Sequence, residues 1–298
     1  MWTNYSEKNL NDICSWDFYP HMCDLVLYND DDIRKIDNQI KDNCLIFIKT
    51  DLVYNSHSAN IIISKLSDVH QVTGKKFNIM THCSDHLFPT INSSKYDTGF
   101  IKNIFGNQVD ARHNFHTTKV HPICQGFYPD DTILENRTFR KPWKNKLDKL
   151  ALPPGCLNYG SNTVRQVWYP QILNEYNNEE WFIGFPDNEK ISRKEFMGLL
   201  DDHKFSLCIP GNEGCQVNRI WESLAVDCVP VIIRECNLWK SSMEELLSKH
   251  NLPCVFLDSI SDINIVENMF DNEYDFSNVE KILMMKYWKD FVHETIKQ

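Results

Sequence analysis

The chain has 298 residues, a formal net charge of −10, and 42% hydrophobic and 12% aromatic content. These are the proportions of a folded protein with a sizeable core, and the length allows two domains of ordinary size. The acidic balance argues against a binder of nucleic-acid backbone, which needs a basic surface, but leaves room for a small anion held by a few Arg or Lys in one cleft.

In chain order, the aromatic and acidic first thirty residues lead to "CLIFIKT" (44–50), an apolar β-branched run that predicts a buried strand. "SANIIISKLSDVHQVTG" has helical spacing, with Gly74 as its stop. "KFNIMTH" (76–82) reads as a second buried strand ending in the polar cluster "THCSDH". "DTGFIKNIFGNQV" reads as a short helix, and "KVHPICQGFYP" (119–129) as a strand entering a turn. The charged, Pro-rich 129–155 reads as a linker or domain crossover. Beyond it come a strand "CLNYG" (156–160), a helix "VRQVWYPQILNEY" with an N-cap offered by Ser161-Asn162-Thr163, and "WFIGF". Then follow a helix "SRKEFMGLLDDH", a strand "KFSLCIP", a helix over 217–225 and a strand "CVPVII". A helix "SMEELLSKH", a strand "PCVFLD" and one long terminal helix from "NVEKILMMKYW" complete the chain.

Short buried strands alternating with helices, twice over, predict an α/β protein of two Rossmann-like domains facing a central cleft. The expected division is 1–140, 141–280, and a terminal helix 281–298 returning to the first domain. Ligands of such folds sit beyond the carboxyl ends of the strands.

No stretch approaches the roughly 18–20 apolar residues of a membrane span. The opening "MWTNYSEKNLNDIC" has neither the basic nor the apolar region of a secretory signal. The 11 cysteines form no CxxC pairs, and Cys208, Cys228 and Cys254 lie in apolar runs as small hydrophobes. A reduced, cytoplasmic chain is expected, in which the sequons at Asn4, Asn92 and Asn136 are chance matches.

The chemistry concentrates in "FSLCIPGNEGCQVNRIWESLAVDCVPVII" (205–233). At 100° per residue, Val217, Ile220, Trp221, Leu224 and Ala225 share one helix face, and Asn218, Arg219, Glu222 and Ser223 the other. Gly211 and Gly214 permit a tight loop before that helix, whose N-terminal N–H groups favour an anion such as a diphosphate. Arg219 can add a fork-shaped contact, and Glu222, one turn on, can accept from sugar or ribose hydroxyls. The plain alternative is an Arg219–Glu222 i,i+3 ion pair on a solvated face. Trp168-Tyr169 and Tyr287-Trp288 read as helix-packing aromatics.

This stretch resembles the C-terminal motif of exostosin-like glycosyltransferases: Pro-x-Gly-x-Gly, Arg-x-x-Glu-x-Leu, then Gly-Cys-x-Pro-Val. The matching positions are Pro210, Gly211 or Asn212, Gly214, Arg219, Trp221, Glu222, Leu224, Cys228, Pro230 and Val231. Asp227 stands where the family has Gly, and Asn212 shifts the first Gly spacing. "LNYGSNTVRQVWYP" resembles the opening of the family's donor domain, with Arg165 at a recurrent Arg. The similarity spans about residues 76–292 and is strongest at 204–233.

The resemblance implies a GT-B fold, an N-terminal acceptor domain, and a UDP-sugar donor held by the C-terminal domain. It implies transfer to a glycan hydroxyl, with inversion, no tightly bound cofactor and no obligatory metal. Ser161, Asn162, Arg165, Pro210, Gly211, Asn212, Gly214, Asn218, Arg219 and Glu222 would bind the donor. An inverting transfer needs a base. Asp85 is the first candidate and His82 the second, ahead of His86; the plain alternatives are a turn-capping Asp85 and a half-buried His82 imidazole. Compact viral members of the family, algal-virus enzymes that build capsid glycans, resemble this chain most, implying a xylosyltransferase working in host cytoplasm. It would act on an oligosaccharide or glycoprotein acceptor, with no nucleic-acid or membrane partner. The alternatives are a GT-B sugar-nucleotide epimerase and a catalytically silent glycan-binding module.

Overall fold

A computed structural model describes residues 14, 18–49, 52, 55–81, 93–107, 117–127, 140–154, 163–185, 191–210, 217–234 and 242–298. The chain divides into two compact units. One comprises Met1–Pro129, Ser241–Leu246 and Met284–Gln298, the other Asp130–Lys240 and Leu247–Leu283.

In the first unit, β1 (Leu25–Leu27), β2 (Cys44–Ile48), β3 (Phe77–Thr81), β4 (Ile101–Gly106) and β5 (Lys119–Pro122) form one sheet in that order. Every pair is parallel. All residues of β2 and β3 are buried, as strands covered on both faces require, which is why they read as unbroken apolar runs. Helix α1 (Ser56–Thr73) packs Ile62 and Leu66 against Ile46, Ile79 and Ile104. It ends where the sequence predicts, at Gly74, whose φ of 72° is the left-handed cap that glycine adopts without a Cβ penalty.

The segment read as a short helix near 97–109 is instead the buried strand β4. Its few residues carry too little periodicity to separate helix from strand, and two flanking parallel partners decide the matter. A polar chain crosses this sheet. Asn78 Nδ2 donates to the Asn43 carbonyl at 3.0 Å, and Asn103 Nδ2 donates to Asn78 Oδ1 at 2.8 Å. His121 Nε2 lies 2.9 Å from Asn103 Oδ1, an oxygen that can only accept, so Nε2 carries the hydrogen.

In the second unit, β6 (Leu147–Leu152), β7 (Phe182–Gly184), β8 (His203–Leu207), β9 (Val229–Ile233) and β10 (Val255–Leu257) form a parallel sheet ordered β10-β9-β8-β6-β7. Its helices are α2 (Thr163–Tyr176), α3 (Arg193–Asp202), α4 (Asn218–Ala225), α5 (Ser242–Lys249), shared with the first unit, and the short α6 (Val279–Ile282). Tyr169 and Ile172 of α2 pack on Leu150, Leu152, Phe205 and Leu207. Trp168 and Tyr169 are buried, and the Tyr169 hydroxyl donates to carbonyls of Pro153 and Phe185, which fits the packing role read for them.

Three expectations are corrected. The stretch 129–155, read as a linker or domain crossover, begins at the division between the units but also contains β6. Only Leu150–Leu152 are fully buried there; at its open end Asp148 pairs with Lys204 at 2.6 Å, so charges disguise a strand. The edge strand β1 lies in a stretch read without one. The single terminal helix is two: α6 ends at Ile282, Met284 is extended, and α7 (Met285–Lys297) resumes. In α7, Phe291 sits edge-on to Phe105 at 6.5 Å and to His121 at 6.4 Å. The strand expected at 156–160 lies outside the described residues.

Candidate functional site

Strand order locates the site. In the first unit the described strands run in sequence order, without reversal. In the second, β6 is followed by α2 and β7 on one side, whereas β8 is followed by α4 and β9 on the other. The reversal falls between β6 and β8, and at such switch points ligands of open parallel sheets bind beyond the carboxyl ends of the strands.

Two predicted arginines meet there by an exchange of anchors. Arg219, on the helix after β8, donates from Nη2 to the Pro154 carbonyl just beyond β6, at 3.0 Å. Arg165, on the helix after β6, donates from Nε to the Pro210 carbonyl just beyond β8, at 3.1 Å. Each guanidinium is half-buried and uses part of a five-donor fork on a backbone carbonyl. Arg219 Nε and Asn218 Oδ1 are buried and have no hydrogen-bond partner among the described residues. Buried polar groups are costly unless hydrogen-bonded, so these two atoms favour a polar ligand beside them.

Helix α4 adds a second attraction for an anion. Its N-cap is Val217, which offers no side-chain oxygen to the first-turn N–H groups. The neighbouring α3 differs: Ser192 and Glu195 form a reciprocal capping box that occupies its N-terminus. The burial of α4 also removes the solvated-face alternative. Ile220, Trp221, Leu224 and Ala225 are buried as the wheel predicts, but Glu222 and Ser223 are buried too. Glu222 is 6% exposed, and its Oε1 pairs with Arg193 Nη1 at 2.8 Å rather than with Arg219.

Arg193 and Phe196 of α3 are the site neighbours that sequence reasoning missed. The Phe196 ring lies 5.3 Å from the Arg193 guanidinium carbon and 5.8 Å from that of Arg219. Both distances are within cation–π range. The signal was present in "SRKE", a capping box that starts a helix at Arg193. A helix entering β8 runs antiparallel to it and begins at the sheet's ligand-facing edge. Beneath the site, burial pushes the Cys208 thiol up to about 12, against the opposing pull of Arg219 and a Ser223 hydrogen bond, so it stays protonated and inert.

Asp227, the departure from the family's Gly, follows α4 with φ of 55°. Asp tolerates this left-handed position better than most residues, and Arg140 Nε holds its carboxylate at 3.3 Å. The seven described cysteines, Cys14, Cys23, Cys44, Cys124, Cys208, Cys228 and Cys254, are unbridged. Among the described residues no group of three His, Cys, Asp or Glu could hold a metal ion, and no helix is long and apolar enough to cross a membrane. The candidate site residues Asp85, His82, His86, Ser161, Asn162, Gly211, Asn212 and Gly214 lie outside the described residues.

No family model and no curated protein matches the chain. Among solved structures it is similar to a UDP-forming α,α-trehalose-phosphate synthase from Burkholderia vietnamiensis, with 12% identity and a TM-score of 0.48, over 90% of this chain and 77% of that one. It is also similar to an apo structure of OtsA, at 12% identity and TM-score 0.46, over 90% and 75% of the two chains. A third similar structure is Arabidopsis thaliana UGT89C1 complexed with UDP-L-rhamnose, at 8% identity and TM-score 0.34, over 85% and 66%.

Proposed function

We propose that the chain is a GT-B glycosyltransferase that moves a sugar from a UDP-sugar to a hydroxyl of a glycan acceptor. The observation that carries this reading is the arginine exchange at the β6/β8 reversal, with Arg219 Nε and Asn218 Oδ1 buried beside it and without hydrogen-bond partners among the described residues. The exostosin-like motif falls on these same residues and supplies the substrate class. Xylose as the sugar, inversion, exostosin-like kinship and a role in viral capsid glycans belong to the proposal on that resemblance.

In this reaction an acceptor oxygen attacks the anomeric carbon while the bond from that carbon to the β-phosphate oxygen breaks. The bonding electrons leave with the nucleoside diphosphate, and the acceptor proton passes to a base, Asp85 or His82. Charge growing on the leaving group is met by Arg219, Arg165 and the N–H groups of α4, which stabilise it without reorganisation during the step. Two fixed guanidiniums can carry this load without an obligatory metal. Glu222 accepts from a ribose hydroxyl. The proposed work is divided between the units, acceptor and base on the first and donor on the second, with the final helix belonging to the first.

A panel of nucleotide sugars, incubated with EDTA and a fucose-containing oligosaccharide, tests the reading. The expected result is UDP release coupled to a lengthened glycan, fastest with UDP-xylose. Release of a free epimerised sugar, or no nucleoside diphosphate binding by calorimetry, rejects it.

A further inference from the structure

We propose that Arg193 is a positioning residue that makes this site select ribonucleotides, by fixing the carboxylate of Glu222. This rests on the donor-site reading above and assigns a role to a residue that the motif does not contain.

The inference starts from the burial of Glu222. A buried charge needs partners, and for the 6% exposed Glu222 carboxylate Arg193 Nη1, 2.8 Å from Oε1, is one of them. Arg193 is itself held. It is the first residue of α3, placed by the Ser192–Glu195 capping box, and its guanidinium lies 5.3 Å from the Phe196 ring centroid. The same ring lies 5.8 Å from the guanidinium of Arg219. One aromatic thus buttresses both the arginine that faces phosphate and the arginine that orients the acidic group.

An ionised carboxylate offers about four acceptor positions, and a fixed pairing at one of them sets the direction of the others. A glutamate already held in one rotamer loses less conformational freedom on binding than a free one, so more of its hydrogen-bond energy appears as affinity. That gain exists only for a ligand with a hydroxyl to donate. Arg193 therefore acts on the difference between a ribose and a deoxyribose, and not on the diphosphate.

Calorimetric titration of UDP and 2′,3′-dideoxy-UDP into wild-type, Arg193→Gln and Arg193→Lys proteins tests this, with melting temperatures to confirm that each is folded. Wild type is expected to favour UDP by about tenfold to a hundredfold, the range of a hydrogen bond to a charged acceptor. In Arg193→Gln the ratio falls toward one, because UDP weakens while the dideoxy nucleotide binds as before. Arg193→Lys, which keeps the charge but not the fork, recovers part of the ratio. An unchanged ratio in Arg193→Gln, or equal weakening of both nucleotides, overturns the proposal, as does a wild type that binds both equally. A wild type that binds neither overturns the donor-site reading itself, and this proposal with it.

Discussion

Arg165 and Arg219 each rise from the helix following one strand and bond to the carbonyl following the other, so that Arg165 holds Pro210 and Arg219 holds Pro154. The exchange ties the chain just beyond β6 to the chain just beyond β8, and in the proposed donor site both guanidiniums would face the diphosphate. Arg219→Ala is expected to weaken UDP about a hundredfold, the loss of charge-assisted bonds worth roughly 2–3 kcal/mol. Arg219→Lys should lose most of that as well, since an ammonium cannot bridge a carbonyl and a phosphate as a planar fork does. Calorimetry measures both, and unchanged UDP affinity in the alanine variant removes Arg219 from the site.

If the base is Asp85 or His82, as proposed, binding and chemistry should separate on mutation. Asp85→Asn is expected to reduce turnover by 10²–10⁴-fold, the usual contribution of a general base, with UDP affinity within about twofold of wild type. His82→Ala distinguishes the two candidates: whichever variant keeps turnover is not the base. Single-turnover assays beside UDP titration give the answer.

Asp227 occupies a left-handed position with φ of 55° and is paired to Arg140 at 3.3 Å. Asp227→Ala loses the ion pair and places a Cβ without compensation in the left-handed region, so a destabilisation of about 1–2 kcal/mol is expected. Asp227→Gly loses the pair but relieves the backbone, and its urea midpoint should stay close to wild type. If alanine and glycine destabilise equally, backbone conformation is not what the position selects.

Burial, with Lys249 adding repulsion, lowers the pKa of His250 from 6.5 to about 4. Between those values the unfolded chain binds a proton that the folded chain does not, so unfolding gains as pH falls. The stability associated with His250 is complete above pH 6.5 and is lost progressively as pH drops from 6.5 toward 4. His203, lowered by burial and bonded to the Leu199 carbonyl, works in the same direction. The expected loss for His250 by pH 4 is roughly 3 kcal/mol. Denaturation midpoints across this range should flatten in His250→Gln, and a parallel decline in both proteins counts against the assignment.

The polar chain from Asn43 through Asn78 and Asn103 to His121 is buried at its two central asparagines. Asn103→Ala takes away the donor to Asn78 Oδ1 and the acceptor for His121 Nε2 together, and a loss of about 2–4 kcal/mol is expected. Thermal unfolding measures it; a shift below one degree would show that these groups find other partners.

Unaided, the sequence determined the parallel α/β character of the chain, because runs such as Cys44–Ile48 and Val229–Ile233 are apolar at every position and need both faces covered. Helical periodicity, a local property, also set Arg219 and Glu222 together on one helix face, while Arg165 was marked only by the family resemblance. Tertiary structure alone decided the rest. The strand at Ile101–Gly106 and the half-charged strand at Leu147–Leu152 exist because of their neighbours in the sheet, which short-range pattern does not encode. The break at Met284 is likewise absent from the helical periodicity. Glu222 pairs with Arg193, 29 positions before it, and Asp227 with Arg140. The sequence listed the charges; only the fold chose their partners, because an ion pair depends on distance in space.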